Sequence, residues 1–396
     1  MIQPLAVSSY TLVSALGAGR EATLQALRSS RTGLALQQFE TAPPASWLGV
    51  VTGADDVRLP EHLAEHDCRN NRIAELGLRA DDFAGLAQRA ARRYGADRVG
   101  VFLGTSTSAI LQTEIAYRHR DPETGALPPS LHYATTHNTY SVAGYVRAAL
   151  ALEGPAFVVS TACSSSAKVF AAAQRFIQLG LVDAAVVGGI DSLCMTTLYG
   201  FRSLELVAPD ICRPWDAHRA GLSLGEAAAF ALLERDPSEQ PVAWLLGAGE
   251  SSDGHHMSSP HPEGAGAAAA MRWALTQSGL QPEEVDYLNL HGTGTPGNDA
   301  AEDLAVRSVF GTQLACSSTK GFTGHTLGAA GGVEAAISML ALQHAFMPAG
   351  LNLEQVDPAL QANYQSACVE KPLKVVASNS FGFGGSNACL VFGAAR

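Results

Sequence analysis

The stretch VVSTACSSSAKVFAAAQRF, residues 158–176, changes character midway. An apolar run opens it, a turn of small residues follows, and a helical pattern closes it. Cys163 therefore stands at a strand-to-helix junction. There the free N–H groups of the first turn and the positive end of the helix favour thiolate, the reactive form. A cysteine that only fills core needs no such position, so Cys163 reads as a nucleophile. Two histidines lie far downstream in glycine- and threonine-rich turns: His291 in LNLHGTGTPGND and His325 in STKGFTGHTLGAAGG. Each turn follows an apolar, strand-like run. One cysteine with two such histidines points to acyl chemistry at a carbon–sulfur bond.

Outward from this stretch, short β-rich runs alternate with longer helical patterns. Strands are expected over 98–104, 156–162, 184–190, 227–234, 285–291 and 374–380. Helices are expected over 21–29, 81–94, 138–152, 164–179, 266–279, 300–309 and 328–346. Such alternation implies a layered α/β fold. Several helices are packed with Ala and Gly, as suits helices buried between layers. Two echoes suggest duplicated halves: FLGTSTS (102–108) with LHGTGT (290–295), and VVSTACSSSA (158–167) with ASNSFGFGGSNA (377–388). The seam falls in RDPSEQPV, dividing the chain into 1–238 and 239–396, two halves of one unit.

The 396 residues are 47% hydrophobic and only 16% charged, enough for a large core and a surface shared with a partner subunit. No apolar run reaches the roughly 18 residues that span a bilayer. The N-terminal MIQPLAVSSYTLVSAL lacks the basic region of a leader. Seven cysteines without a CxxC pair support neither a zinc site nor a disulfide framework, so a reducing cytoplasm is expected. A net charge of −11 argues against nucleic acid. Local basic patches for an acidic partner are Arg69 and Arg72, or Arg89, Arg92 and Arg93; each equally suits a solvated helix face.

Six blocks in order carry a resemblance: TACSSSA, RPWDAHRAGLSLGEAA, SSDGHHMSSPHPEGAGAA, HGTGTPGNDAAE, STKGFTGHTLGAAGG and SNSFGFGGSNA. Together they resemble the β-ketoacyl synthases, the decarboxylating condensing enzymes of fatty acid and polyketide synthesis. The resemblance covers about residue 100 to the C-terminus, and the first hundred residues match more weakly. It implies a thiolase-like α-β-α-β-α fold. It also implies substrates carried on the phosphopantetheine of an acyl carrier protein, with no metal and no diffusible cofactor. Cys163 would hold the acyl chain as a thioester. His291 and His325 would direct Nε2 at the malonyl thioester oxygen as charge develops there. The backbone N–H groups of Cys163 and Phe383 would meet the acyl oxyanion, with Gly382, Gly384 and Gly385 shaping that loop. Lys320 and Glu334 would organise the site electrostatically. Thr293 and Thr295 would bind the pantetheine arm, Asp253 and Ser258 would lie near the tunnel mouth, and Phe201, Phe381 and Thr107 would contact substrate.

Two departures from the family pattern bear on specificity. FRSLELVAPDICRPWD is compressed, with Glu205 or Arg202 where a basic residue often docks the carrier. Thr107 stands where a bulky aliphatic gate is common, which implies a pocket for long, rigid or unsaturated chains. The short form with CRNNR resembles the ketosynthases of aryl-polyene pigment clusters, where an active subunit pairs with a chain-length factor. A dimer is therefore expected, homomeric or with such a partner. Other readings are the chain-length factor itself, which lacks the cysteine and a histidine, and a thiolase-type coenzyme A enzyme, which needs a second cysteine base near a CxG turn. A primer-loading synthase would replace the second histidine by asparagine. His255 and His256 are adjacent, but no acidic or thiol ligands are grouped with them at metal spacing.

Overall fold

A computed structural model describes residues 3–395, so Met1, Ile2 and Arg396 of the two expected halves lie outside the described residues. Two sets of five strands build the frame. The first is β1 (Leu5–Ser14), β2 (Val99–Gly104), β3 (Ala156–Val159), β4 (Ala184–Asp191) and β5 (Ala227–Glu234). The second is β6 (Ala243–Ser252), β7 (Tyr287–Asn289), β8 (Ala315–Ser317), β9 (Val375–Gly382) and β10 (Ser386–Ala394). Their spatial orders are β3-β2-β4-β5-β1 and β8-β7-β9-β10-β6. In each set the first two pairings are parallel and the last two antiparallel. The same order with the same directions is a duplicated topology. The sets join where β1 pairs with β6 over Leu5–Val7.

Eleven helices are described: α1 (Arg20–Arg28), α2 (Arg69–Arg79), α3 (Phe83–Tyr94), α4 (Ile110–Arg118), α5 (Ser141–Ala149) and α6 (Ser165–Gln178). They continue with α7 (Met195–Ser203), α8 (Ala265–Ser278), α9 (Pro296–Phe310), the single turn α10 (Lys320–Thr323) and α11 (Ala330–His344). The helices α6 and α11 lie between the two sheets and touch both. The outer face of the first sheet is covered by α2 and α5, and that of the second by α8. The result is the five-layered α-β-α-β-α fold. Residues Ala330–Leu342 of α11 are all buried, as expected of a helix apolar on every side. Close approach explains its glycines: a Cβ on Gly331 would sit 2.7 Å from Ala167 of α6. Beside it, the Gly332 N–H donates to Ser166 Oγ at 2.8 Å.

Every run expected as a strand or helix occurs, with ends displaced by up to four residues. The run 156–162 stops at Val159 as a strand because the chain turns at Ala162, where φ is 53°. The elements β1, β6, β8, β10, α2, α4, α7 and α10 were not anticipated. The first echo is structural, since 102–108 runs from the end of β2 into the turn after it and 290–295 forms the turn after β7, the second strand of each set. The second echo needs correction: Cys163 follows the third strand, whereas 377–388 is the β9–β10 hairpin. The true counterpart of the cysteine turn follows β8 and contains Lys320 and His325.

Candidate active site

Both central helices begin just beyond a chemistry-bearing residue, and their N-terminal ends meet at Ala167 and Gly331. Cys163 lies two residues before α6, on a turn forced by the left-handed Ala162. That conformation is costly for a residue with a Cβ and lifts the thiol out of the strand line. His325 Nε2 lies 3.0 Å from Cys163 Sγ. The rings of His291 and His325 are 5.4 Å apart, edge to face. One ligand-type atom from each of the three residues falls within 4.8 Å of the others.

Hydrogen bonds fix which nitrogen of each imidazole carries hydrogen. His325 Nδ1 accepts the Leu327 N–H at 3.2 Å, so its hydrogen is on Nε2. His291 Nδ1 faces Lys320 Nζ at 3.4 Å, and a lysine can only donate. Both rings therefore present Nε2–H as donors. A metal would need lone pairs there, so this arrangement suits an oxyanion better than a cation. Burial, reinforced by Lys320, holds both imidazoles well below their ordinary value and hence neutral. Lys320 also donates to the His291 carbonyl and pairs with Glu334. Burial lifts the Glu334 carboxyl to about 7 against the pull of Lys320.

The expectation that the helix end favours thiolate meets a stronger opposing effect. Burial pushes the Cys163 thiol up to about 12, although Lys320 and the Phe383 N–H draw it down. At neutral pH the resting group is therefore a thiol. That Phe383 N–H is directed at Cys163, in the loop expected to carry an oxyanion donor. Gly384 and Gly385 adopt φ of 80° and 73°, which their lack of a Cβ permits. Gly382 matters for space instead: a Cβ there would approach the Thr161 carbonyl oxygen to 2.6 Å.

A cavity of about 380 Å³ leads to this cluster. Cys163, His291 and His325 line it together with Thr293, Thr295, Phe201, Phe381, Phe383, Asp253 and Ser258. Thr293 and Thr295 share a hydroxyl–hydroxyl bond of 2.8 Å. Phe201 packs 5.4 Å from Phe383 and 6.5 Å from His325. Lys320 and Glu334 lie behind His291, off the wall.

Thr107 requires a correction. It is off this wall, with its hydroxyl and N–H both donating to Asp191 Oδ1 at 2.7 Å. Its side chain braces a turn.

The basic patch is also revised. Arg69 is buried and bound by Glu226, with Asp55 at 2.7 Å, so it cannot meet a partner. Arg72 pairs with Asp67 at 2.6 Å and Arg89 with Asp82 at 3.2 Å; Arg92 and Arg93 are exposed. Arg202 donates to Ser46 Oγ at 2.7 Å, and Glu205 is exposed.

Glu302 was missed by the sequence reading. From α9 it accepts the N–H of His291 at 2.8 Å and of Gly292 at 2.7 Å, with Asn379 Nδ2 at 3.1 Å. Burial still raises it to about 7. The signal was present in HGTGTPGNDAAE, where a carboxylate returns to the turn eleven positions upstream. Leu206 and Leu222, also unanticipated, supply apolar wall.

Residues 79–238 match the family model described as beta-ketoacyl synthase, N-terminal domain, and residues 242–354 match its C-terminal domain. Nodulation protein E of Rhizobium meliloti (strain 1021) is 33% identical over 86% of this chain and 88% of its own length. The 3-oxoacyl-[acyl-carrier-protein] synthase 2 of Vibrio cholerae is 29% identical over 98% of both. Among structures, the ketosynthase ApeO of Xenorhabdus doucetiae, in complex with its chain length factor ApeC, superposes with a TM-score of 0.90. It is 37% identical over 99% of this chain and 98% of that one.

Proposed function

The chain belongs to the β-ketoacyl synthase family, and on that premise we propose that it is an elongating β-ketoacyl-[acyl carrier protein] synthase. The observation that carries this reading is the convergence of two Nε2–H donors and one thiol on the wall of a single cavity. Cys163 takes the acyl group from its carrier thioester: the Sγ–acyl bond forms, the carrier C–S bond breaks, and the thiol proton ends on the departing carrier sulfur. Malonyl thioester then enters. Its carboxylate leaves as carbon dioxide, and the electron pair becomes an enolate whose oxygen accepts hydrogen bonds from His291 and His325. The enolate carbon attacks the acyl-enzyme, and the tetrahedral oxyanion meets the Cys163 and Phe383 N–H groups. Collapse expels the Cys163 thiolate, which regains a proton, and releases a β-ketoacyl thioester two carbons longer.

Neutral imidazoles suit the decarboxylation, because they donate without holding a fixed counter-charge before the oxygen becomes negative. Lys320, with Glu334, keeps His291 in the donating tautomer. Thr293 and Thr295 bind the pantetheine arm along the wall, and Phe201 and Phe381 contact the substrate. Asp253 and Ser258 lie on the same cavity wall. All three reacting residues are present, which supports the active subunit over a non-catalytic chain-length factor. We assign residues 1–238 and 239–396 as the two halves of one catalytic unit.

A second thiolase-like subunit is the expected partner, identical or a chain-length factor. Among the described residues the edge strand β3 pairs only with β2, and Tyr117, Tyr133 and Tyr140 are exposed. No helix among the described residues is long and apolar enough to cross a membrane. Seven free cysteines fit a reducing, cytoplasmic setting. The test is turnover of acyl- and malonyl-carrier thioesters by the purified chain, alone and with a chain-length factor. Equal release of carbon dioxide and β-ketoacyl thioester is expected. Carbon dioxide without condensed product under both conditions would refute the assignment.

A further inference from the structure

Phe201 reaches the cavity from α7, a helix with little apolar anchorage. Of the residues Met195–Ser203, only Leu198 is buried. Hydrogen bonds from other elements hold the helix at both ends. At its finish, Arg202 donates to Ser46 Oγ at 2.7 Å. At its start, Glu114 of α4 accepts the Met195 N–H at 2.9 Å and the Thr196 N–H at 2.6 Å. The Thr196 hydroxyl donates to the same carboxylate at 2.5 Å. Glu114 thereby satisfies two N–H groups that the first turn of a helix leaves open, and its charge meets the positive end.

The helix that carries Glu114 is itself fixed. Arg118 pairs with Glu40 at 3.6 Å, and Thr113 Oγ1 bonds His137 Nδ1 at 2.7 Å. Helix α4 follows the turn that Asp191 holds, and α7 begins shortly after Asp191 itself. The segments leaving β2 and β4 therefore exchange carboxylates, Asp191 towards the first and Glu114 towards the second. Further along α7, the Phe201 ring packs 5.4 Å from Phe383 and 6.5 Å from His325. The Phe383 N–H is in turn directed at Cys163.

We propose that Glu114 is a positioning residue for the reaction, holding Phe201 against Phe383 and His325 by fixing the start of α7. The inference rests on the synthase reading above and deepens it. Without Glu114 the first turn of α7 loses its N–H partners, and one buried leucine holds the helix poorly. Phe201 then shifts, and the Phe383 loop loses the ring that supports it beside the thiol. A displacement of that kind costs rate far from the residue that was changed.

The experiment is a double-mutant cycle on acylation of Cys163 by an acyl-carrier thioester, followed by intact mass, with Tm measured for each variant. Glu114→Ala is expected to slow acylation about tenfold, and Glu114→Gln, which keeps one acceptor, about threefold. Phe201→Ala is expected to slow it about tenfold, and adding Glu114→Ala to that variant costs less than about twofold more. A wild-type rate in Glu114→Ala overturns the proposal. So does full multiplication of the two effects in the double variant, which would make Glu114 a general support of the fold. The same cycle with Glu114→Gln decides the matter if Glu114→Ala does not fold. If the wild-type chain is not acylated at all, the synthase reading itself fails and the proposal falls with it.

Discussion

The turn after the second strand occurs twice in this molecule, and each copy is held by a buried carboxylate. In the first set, Asp191 accepts the N–H groups of Ser106 and Thr107 and the hydroxyls of Thr105 and Thr107. In the second, Glu302 accepts the N–H groups of His291 and Gly292. Burial raises both carboxyls, and for each the hydrogen bonds pull the other way. The difference lies in what the turn presents: the first ends in threonines that face their own carboxylate, and the second in an imidazole that faces the cavity. The fold duplicates the device, and in the proposed reaction only one copy carries chemistry. The turns after the third strands diverge otherwise, since one supplies the thiol and the other His325.

The largest effect should come from the copy that carries chemistry. His291→Ala and His325→Ala should each slow malonyl decarboxylation by about 10²–10³-fold, as loss of an oxyanion donor does. Acylation of Cys163 should persist within a few-fold. Carbon dioxide release at wild-type rate in either variant would remove the imidazoles from that step.

The matched carboxylates sharpen the contrast. Glu302→Gln sets an NH₂ group against N–H donors and loosens the His291 turn by about 1–3 kcal/mol, or roughly 5- to 150-fold in decarboxylation. Asp191→Asn should cost a similar amount in stability, seen as a lower Tm, with kcat nearly unchanged. Equal losses of kcat in both would show that the turns are not functionally distinct. A smaller effect is expected at Thr107→Ile, which overpacks the brace by about 1–3 kcal/mol. Preference for acyl length should stay the same; a shift towards short chains would restore Thr107 as a gate.

The smallest expected effect is on pH. Both imidazoles are held neutral well below 6.5, so their donor state does not change between pH 8 and pH 6. The ring signals of His291 and His325 should therefore not titrate in NMR across that range, and any change of rate there belongs to the Glu302 and Glu334 carboxyls, raised to about 7. A ring signal that shifts with an apparent pKa near 6.5 would mean that an imidazole titrates in the ordinary way.

Much of this site was legible because its chemistry is local to short blocks. Cys163 and His291 each stand in the turn after a strand, His325 lies beyond β8 and the turn α10, and turn composition marked all three. The central helices were legible as Ala- and Gly-rich runs, because close layers tolerate little else. Strand β1 escaped because LAVSSYTLVS has no simple alternation: it is buried on both faces. Glu302 escaped because a carboxylate in a polar run looks like a solvated charge until the fold buries it, and Asp191, at the end of AAVVGGID, because the turn it holds lies 84–86 residues upstream. Arg69 misled for the same reason, its partner Glu226 being 157 residues away. Thr107 was read as missing bulk, whereas its hydroxyl was the informative group.

The most direct test is the intact mass of the chain after exposure to acyl-carrier thioesters, beside Cys163→Ala, His291→Ala and His325→Ala. The account predicts one acyl adduct in the wild-type chain and in both histidine variants, and none in Cys163→Ala. An adduct that survives loss of Cys163, or no adduct in the folded wild-type chain with any primer and with a chain-length factor present, would contradict it.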